Sequence, residues 1–158
     1  MSAYFDHINI AGNCKIFCTT NLTFPLQIRN IENGKVMRSI NNDSDIICTA
    51  FSSDSNQLAT GGFDSLIILW DVNTGNKIHT LAGHLGRVSS IIFSSDGKNI
   101  ISGDWNGTIK VWQLKTGKEI ANIKAHSSKV KTMVFASDNQ TLISGDDNGN
   151  IKIWRCFF

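Results

Sequence analysis

The sequence predicts an all-β chain made of one repeated unit of four short strands, present in about three full copies and one degenerate copy. Three observations predict it. Single residues recur at a fixed spacing of 42, apolar and polar residues alternate with period two inside each copy, and turn residues punctuate each copy too closely for a helix to fit. Trp70, Trp112 and Trp154 keep the spacing, as do Phe51, Phe93 and Phe135, then Asp54, Asp96 and Asp138. Gly61, Gly103 and Gly145 keep it too, with Ile67, Ile109 and Ile151, and with His84 and His126. A fixed period of this size marks structural repeats that stack on one another.

A worn copy precedes these. At a shift of 41, Phe5–Ile10 overlays Ile46–Phe51, Leu26–Arg29 overlays Ile67–Trp70, and Gly34 falls on Gly75. Arg29 holds the Trp register there, and Thr23 the acidic turn register. The whole chain reads as one domain, 1–158, with units near 1–42 (degenerate), 43–84, 85–126 and 127–158.

The unit at 85–126 shows the strand pattern best. Val88–Phe93 is β-branched and apolar, as a strand prefers. Ser94-Ser95-Asp96-Gly97 forms a turn, with Gly97 able to take positive φ. Asn99–Ser102 is the second strand and Asp104-Trp105-Asn106-Gly107 the second turn. Thr108–Trp112 is the third strand, read with Ile109 and Val111 inward and Lys110 outward. Lys115-Thr116-Gly117-Lys118 turns into a last strand, Glu119–Ile123. The glycines read throughout as turn residues. The only proline, Pro25, lies in the degenerate copy, where an edge strand tolerates it.

Composition narrows the function classes. Of the 158 residues 41% are hydrophobic and 18% charged, within the range of a folded globular chain. The formal net charge of +2, with Lys and Arg scattered, gives no electrostatic footprint for nucleic acid. No apolar run approaches the ~18 residues of a bilayer span. Met1-Ser2-Ala3-Tyr4-Phe5-Asp6 has neither the basic nor the apolar region of a signal peptide. Free thiols at Cys14, Cys18, Cys48 and Cys156 are therefore expected, and a cytoplasmic location, with the nucleus as alternative, rather than secretion.

The period, the four strands, Gly83-His84 before a first strand and Trp70-Asp71 after a third together resemble the WD40 family. The resemblance covers about Phe5 to Cys156, strongly in the last three copies. It implies β-propeller blades around a channel, here an incomplete ring whose last blade stops after its third strand and lacks the fourth. Three ways of covering the open end follow: further WD40 blades in a longer protein, pairing into a homo-oligomer, or strands donated by a partner.

The resemblance also implies a hydrogen-bonded set inside each blade. By position these are His84, Ser102, Asn106 and Trp112; His126, Ser144, Asn148 and Trp154; and Thr60, Asp64 and Trp70, with Asp43 near the missing His. Asn in the acidic place of two sets predicts weaker, neutral bonds to His. The sets superficially resemble hydrolase triads. Their recurrence at a fixed step in several blades makes them structural, so no catalytic residue is expected. Cys14 and Cys18, with only His7 nearby, make no zinc site, and no glycine-rich loop opens a helix onto a phosphate. Neither metal nor cofactor is expected.

In the family, partner contacts favour one face of the ring. By position that face carries Phe63, Trp105 and Asp147 from the second turns, with Asp45, Arg87, Ser89, Lys129 and Lys131 opening first strands. Phe63 and Trp105 stand out as aromatics among polar turn residues, either hot spots for a partner or covers over a blade edge. Trp70-Asp71-Val72-Asn73 lacks the Arg of Trp-Asp-X-Arg, common in receptors of cullin-type ubiquitin ligases. The implied function is a non-enzymatic scaffold for proteins or peptides, without nucleic acid or membrane. The alternative is a structural piece of a larger or self-assembled propeller with no ligand of its own.

Overall fold

The computed structural model describes residues 7–20, 25–42 and 44–156, except for the side chain of His7. Phe5, Thr23 and Asp43, on which the repeat register also falls, lie outside them. Every regular element among the described residues is a strand. Four antiparallel sheets follow one another along the chain, each running in simple order. The first comprises β1 (His7–Ile10), β2 (Ile16–Thr20), β3 (Leu26–Asn30) and β4 (Val36–Ile40). The second comprises β5 (Ile46–Phe51), β6 (Gln57–Gly62), β7 (Leu66–Asp71) and β8 (Lys77–Ala82). The third comprises β9 (Val88–Phe93), β10 (Asn99–Asp104), β11 (Thr108–Gln113) and β12 (Lys118–Lys124). The last has three described strands, β13 (Val130–Phe135), β14 (Thr141–Asp146) and β15 (Ile151–Arg155). Among the described residues the sheets form an arc that does not close into a ring.

Turn chemistry sets the register. The residue closing the first hairpin is left-handed in every sheet: Cys14, Ser55, Gly97 and Asn139, at φ 53°, 61°, 68° and 55°. Asp54, Asp96 and Asp138 fold each tip by accepting the backbone amides of Asn56, Lys98 and Gln140 at 3.0, 3.0 and 2.9 Å. These carboxylates fold local Asx-type turns, which is why the residue recurs.

Each core lies between sheets rather than within one. Ile16, Cys18, Ile28, Leu58, Ile68 and Trp70 form the first, between sheets one and two. Ala59, Ile67, Leu69, Val88, Ile100 and Trp112 form the second. Ile101, Ile109, Val111, Val130, Met133 and Leu142 form the third, with Trp154 packed against it. Each repeated Trp thus faces the preceding sheet and the β-branched residues beside it face the next. The middle two sheets bury both faces, and strands β10 and β11 are dry along nearly their whole length.

Two expectations fail for that reason. Lys110 is not outward: it is 5% exposed, and its ammonium donates to Glu119 Oε2 at 2.8 Å. A strand sandwiched between neighbouring sheets has no solvent face, so its one cation needs a partner. Gly61, Gly103 and Gly145 are not turn residues either. They lie inside β6, β10 and β14, and at Gly61 and Gly103 the first strand of the next sheet approaches. A Cβ on Gly103 would stand 2.5 Å from Val130 Cγ1, and one on Gly61 2.7 Å from Val88 Cγ1. Glycine within a strand here marks close packing.

The end sheets lack a neighbour on one side. Ile151 and Ile153 are each 72% exposed, while their counterparts one repeat earlier, Ile109 and Val111, are buried. On the first sheet Ile8 and Ile10 are exposed, and Arg29 and Gln27 stand where Trp70 and Ile68 stand in the second. Arg29 donates to the carbonyl of Gly34 at 2.8 Å and to Gln27 Oε1 at 2.5 Å. That makes this outer face part polar.

The glycine register gives a test. Gly103→Ala should cost about 1–3 kcal/mol in urea unfolding, because Val130 is β-branched and cannot swing away. Gly145→Ala, whose Cβ would meet only Thr132 of its own sheet at 3.4 Å, should stay within about 0.5 kcal/mol of wild type.

Candidate functional site

Beneath the turns of the third sheet lies a continuous polar chain. Trp112 Nε1 donates to Ser102 Oγ at 2.8 Å, Ser102 Oγ lies 2.7 Å from His84 Nε2, and His84 Nδ1 lies 2.9 Å from Asp104 Oδ2. The indole only donates and the carboxylate only accepts, so the directions are fixed at both ends. His84 Nδ1 donates to Asp104, and the Ser102 hydroxyl closes the chain onto Nε2. Ser102 and Asp104 are 0% and 1% exposed. The other oxygen of Asp104 takes the amides of Asn106 and Thr108 at 3.0 and 2.9 Å, tying the clamp to the turn above it.

The acidic member is therefore Asp104, not Asn106. Ser102 and Asp104 are two apart on one strand and share a face, whereas Asn106 is exposed in the turn and gives only its backbone amide. The fourth sheet repeats the correction. Asp146, not Asn148, lies nearest His126, with Nδ1 to Oδ2 at 3.4 Å. This clamp is looser. His126 Nε2 and Trp154 Nε1 reach Ser144 Oγ at 2.7 and 2.9 Å, but His126 Nδ1 has no hydrogen-bond partner. Asp146 is taken up by Asn150 Nδ2 at 2.9 Å. In the second sheet Gly62 occupies the acidic register, and only Trp70 Nε1 donating to Thr60 Oγ1 at 3.0 Å remains. Asp64 accepts the amide of Leu66 and closes its own turn.

Burial raises the Asp104 carboxyl, but the bond from His84 and those from the Thr108 and Asn106 amides outweigh it, leaving the group below the usual carboxylate range. The Asn150 side chain and nearby amides bring Asp146 down to about 2, against the effect of burial.

Above the clamps lies the turn face. The backbone repeats itself there: Phe63, Trp105 and Asp147 donate their amides to the carbonyls of Asp45, Arg87 and Lys129 at 3.1, 3.0 and 3.0 Å. On this scaffold the Phe63 and Trp105 rings meet at 6.3 Å between centroids. The Arg87 guanidinium lies 4.1 Å from the Phe63 centroid and 4.7 Å from that of Trp105, and Lys129 Nζ lies 4.7 Å from Trp105. Phe63 and Trp105 stay 40% and 39% exposed, so they cover the blade edge and face solvent at once. Lys131 pairs with Asp147 at 3.1 Å, and the Asp45 side chain is exposed. Ser89 departs from the expected set: its hydroxyl donates inward to the carbonyl of Val130 at 2.6 Å, locking sheet three to sheet four. Leu85, 91% exposed, borders a cavity with Trp105, Asn106 and Lys124.

Sequence reasoning missed Asp104 and Asp146, although both recur at 42 and follow Ser by two. It named Phe63, Arg87 and Trp105 without foreseeing that they meet in one cluster. Of the cysteines, Cys18 and Cys48 are buried, Cys156 is part buried and Cys14 exposed, all as free thiols. Among the described residues no helix is long and apolar enough to cross a membrane.

Comparison with known proteins agrees with this architecture. The family model described as "WD domain, G-beta repeat" matches residues 34–71, 75–113 and 117–155. Each match begins before or within the last strand of one sheet and ends in the third strand of the next. The U3 small nucleolar RNA-associated protein 13 of Saccharomyces cerevisiae is 38% identical over 66 residues, 42% of this chain and 8% of that protein. The chain spans less than a tenth of the length of the curated relatives it matches. Among solved structures, the computationally designed Ika4 protein superposes with a TM-score of 0.79 at 25% identity, covering 90% of this chain and 86% of that one. U3-55K superposes with a TM-score of 0.86 at 18% identity, covering 94% of this chain and 47% of that one.

Replacing Asp104 tests the corrected clamp. A carboxyl held low in the folded state stabilises above the unfolded value, and that contribution fades as pH falls through the folded value. Asp104→Asn should cost about 1–2 kcal/mol near neutral pH. The gap to wild type, followed by denaturant unfolding, should narrow below about pH 4.

Proposed function

The chain belongs to the WD40-repeat family, and we propose that it is a non-enzymatic scaffold holding protein or peptide partners on its turn face. The observation that carries this reading is the Phe63–Arg87–Trp105–Lys129 cluster. Two half-exposed rings and two cations stand on a backbone ladder that repeats in three sheets. Rigid aromatics beside Arg are the residue types that dominate binding energy at interfaces. The family is generally one of non-enzymatic scaffolds. The Ser–His–Asp sets support the same reading: they recur in two sheets, they are buried, and each serine hydroxyl is engaged between a Trp and a His.

Location and assembly stay within the proposal. A relative whose name associates it with a small nucleolar RNA favours the nucleus alongside the cytoplasm, and membership of a ribonucleoprotein assembly held through protein contacts. A second reading has its own support, the outer face of the last sheet with Ile151, Ile153 and Val134 exposed. In that reading the arc is a structural piece, completed by further blades or by another arc covering this face.

Cross-linking mass spectrometry on tagged chain in cell extract separates the two. On the scaffold reading, Trp105→Ala should reduce partner recovery at least about tenfold, the loss of one hot-spot side chain, while Ile153→Lys leaves it unchanged. Loss with Ile153→Lys and none with Trp105→Ala would favour the structural reading.

A further inference from the structure

The Arg87 guanidinium has an aromatic ring within 5 Å on two sides, Phe63 and Trp105. Cation–π contact with two tilted rings restrains the group and leaves its N–H donors for hydrogen bonding. Among the described residues no carboxylate forms a salt bridge with Arg87 or with Lys129. The nearby cation Lys131 is already paired with Asp147. The surface thus holds one oriented, unneutralised fork with an ammonium on the same indole. Beside it stand an almost fully exposed Leu85 and a cavity that Leu85 and Trp105 both line.

We propose that this cluster is a carboxylate-recognition site, and that its ligand is an extended acidic peptide whose Asp or Glu meets the Arg87 fork while a neighbouring apolar side chain rests on Leu85 and Trp105. The inference rests on the turn-face scaffold reading and names the partner chemistry of that surface. A planar carboxylate accepts two parallel N–H bonds from a guanidinium, and one already restrained by contact with two rings loses less rotamer freedom on binding than a free surface Arg.

Charge decides against a polynucleotide. Around the cluster the cations Arg87, Lys124, Lys129 and Lys131 alternate with the acids Asp45, Asp64 and Asp147, so this face offers scattered cations and no continuous basic track for a phosphate backbone. Arg87 also sits against both rings, so the part-exposed faces can take one side chain but not the run of successive bases on which single-strand binding relies. A single carboxylate aimed at Arg87 meets neither obstacle.

The test is fluorescence anisotropy on the full chain with labelled short peptides of Leu alternating with Glu, with Gln or with Lys, and with a labelled oligouridylate. The Glu peptide should bind about tenfold tighter than the Gln peptide, the effect of one good charge-assisted pair. Arg87→Gln should erase that preference, and Arg87→Lys should keep only part of it, having charge without the fork. Lys131→Gln should leave it intact, because its charge is spent on Asp147. Arg87 is exposed, and melting curves matching wild type will establish that the variants fold. Equal binding of the Glu and Gln peptides would overturn the proposal, as would a preference that survives Arg87→Gln, or tighter binding of the Lys peptide or oligouridylate. If a partner is still captured through Trp105 while Glu and Gln peptides bind alike, the scaffold reading stands and this one fails. If neither occurs, both fail.

Discussion

A four-stranded sheet of about 40 residues has two faces and too little chain to cover either. Everything else in this molecule follows from that shortage. Apolar residues sit on both sides of β10 and β11 because sheets stand on both sides of them. The Trp register faces backward and the Ile–Val register forward because each junction needs one of each. Gly61 and Gly103 stand inside buried strands because the first strand of the next sheet comes too close for a Cβ. Where stacking stops, the same registers turn outward, and Ile151 and Ile153 meet water.

Polar groups trapped by this stacking must be paired internally, and the pairing is what stiffens the turn face. In the third sheet the indole, the serine, the histidine and the aspartate form one line ending on the amides of the turn that carries Trp105. The surface ring is therefore held by a buried chain of bonds rather than by the loop alone. In the second sheet, where Gly62 replaces the aspartate, only the Thr60–Trp70 bond survives. Phe63 there leans on Arg87 and Trp105 of the next sheet. Binding surfaces gain when their anchors are held in advance, and the asymmetry between sheets places the best-held anchor near the middle of the arc.

Much of this was legible in the sequence. Strand order, the turn aspartates and the repeat of Trp with Ser follow from a spacing of 42 and a period of two. What escaped has a common cause: a single repeat was read as though one of its faces met solvent. On that assumption Lys110 pointed outward and Gly103 belonged to a turn. The acidic clamp residue was sought in the turn at Asn106, although the strand period already put Asp104 on the face of Ser102. The contact of Arg87 with both Phe63 and Trp105 joins residues from two sheets. No fixed spacing within one unit encodes it. Ser89 looked like a surface residue for the same reason, yet its hydroxyl is used to bind the next sheet.

Nearest-neighbour stacking predicts a gradient of local stability, since each sheet is held only by those beside it. Native-state hydrogen exchange of the full chain measures it directly. The account predicts the slowest exchange in β6, β7, β10 and β11, whose sheets have neighbours on both sides, with β14 and β15 opening first. Uniform protection across all four sheets, or the last sheet outlasting the third, would contradict the claim that each sheet is dried by its neighbours.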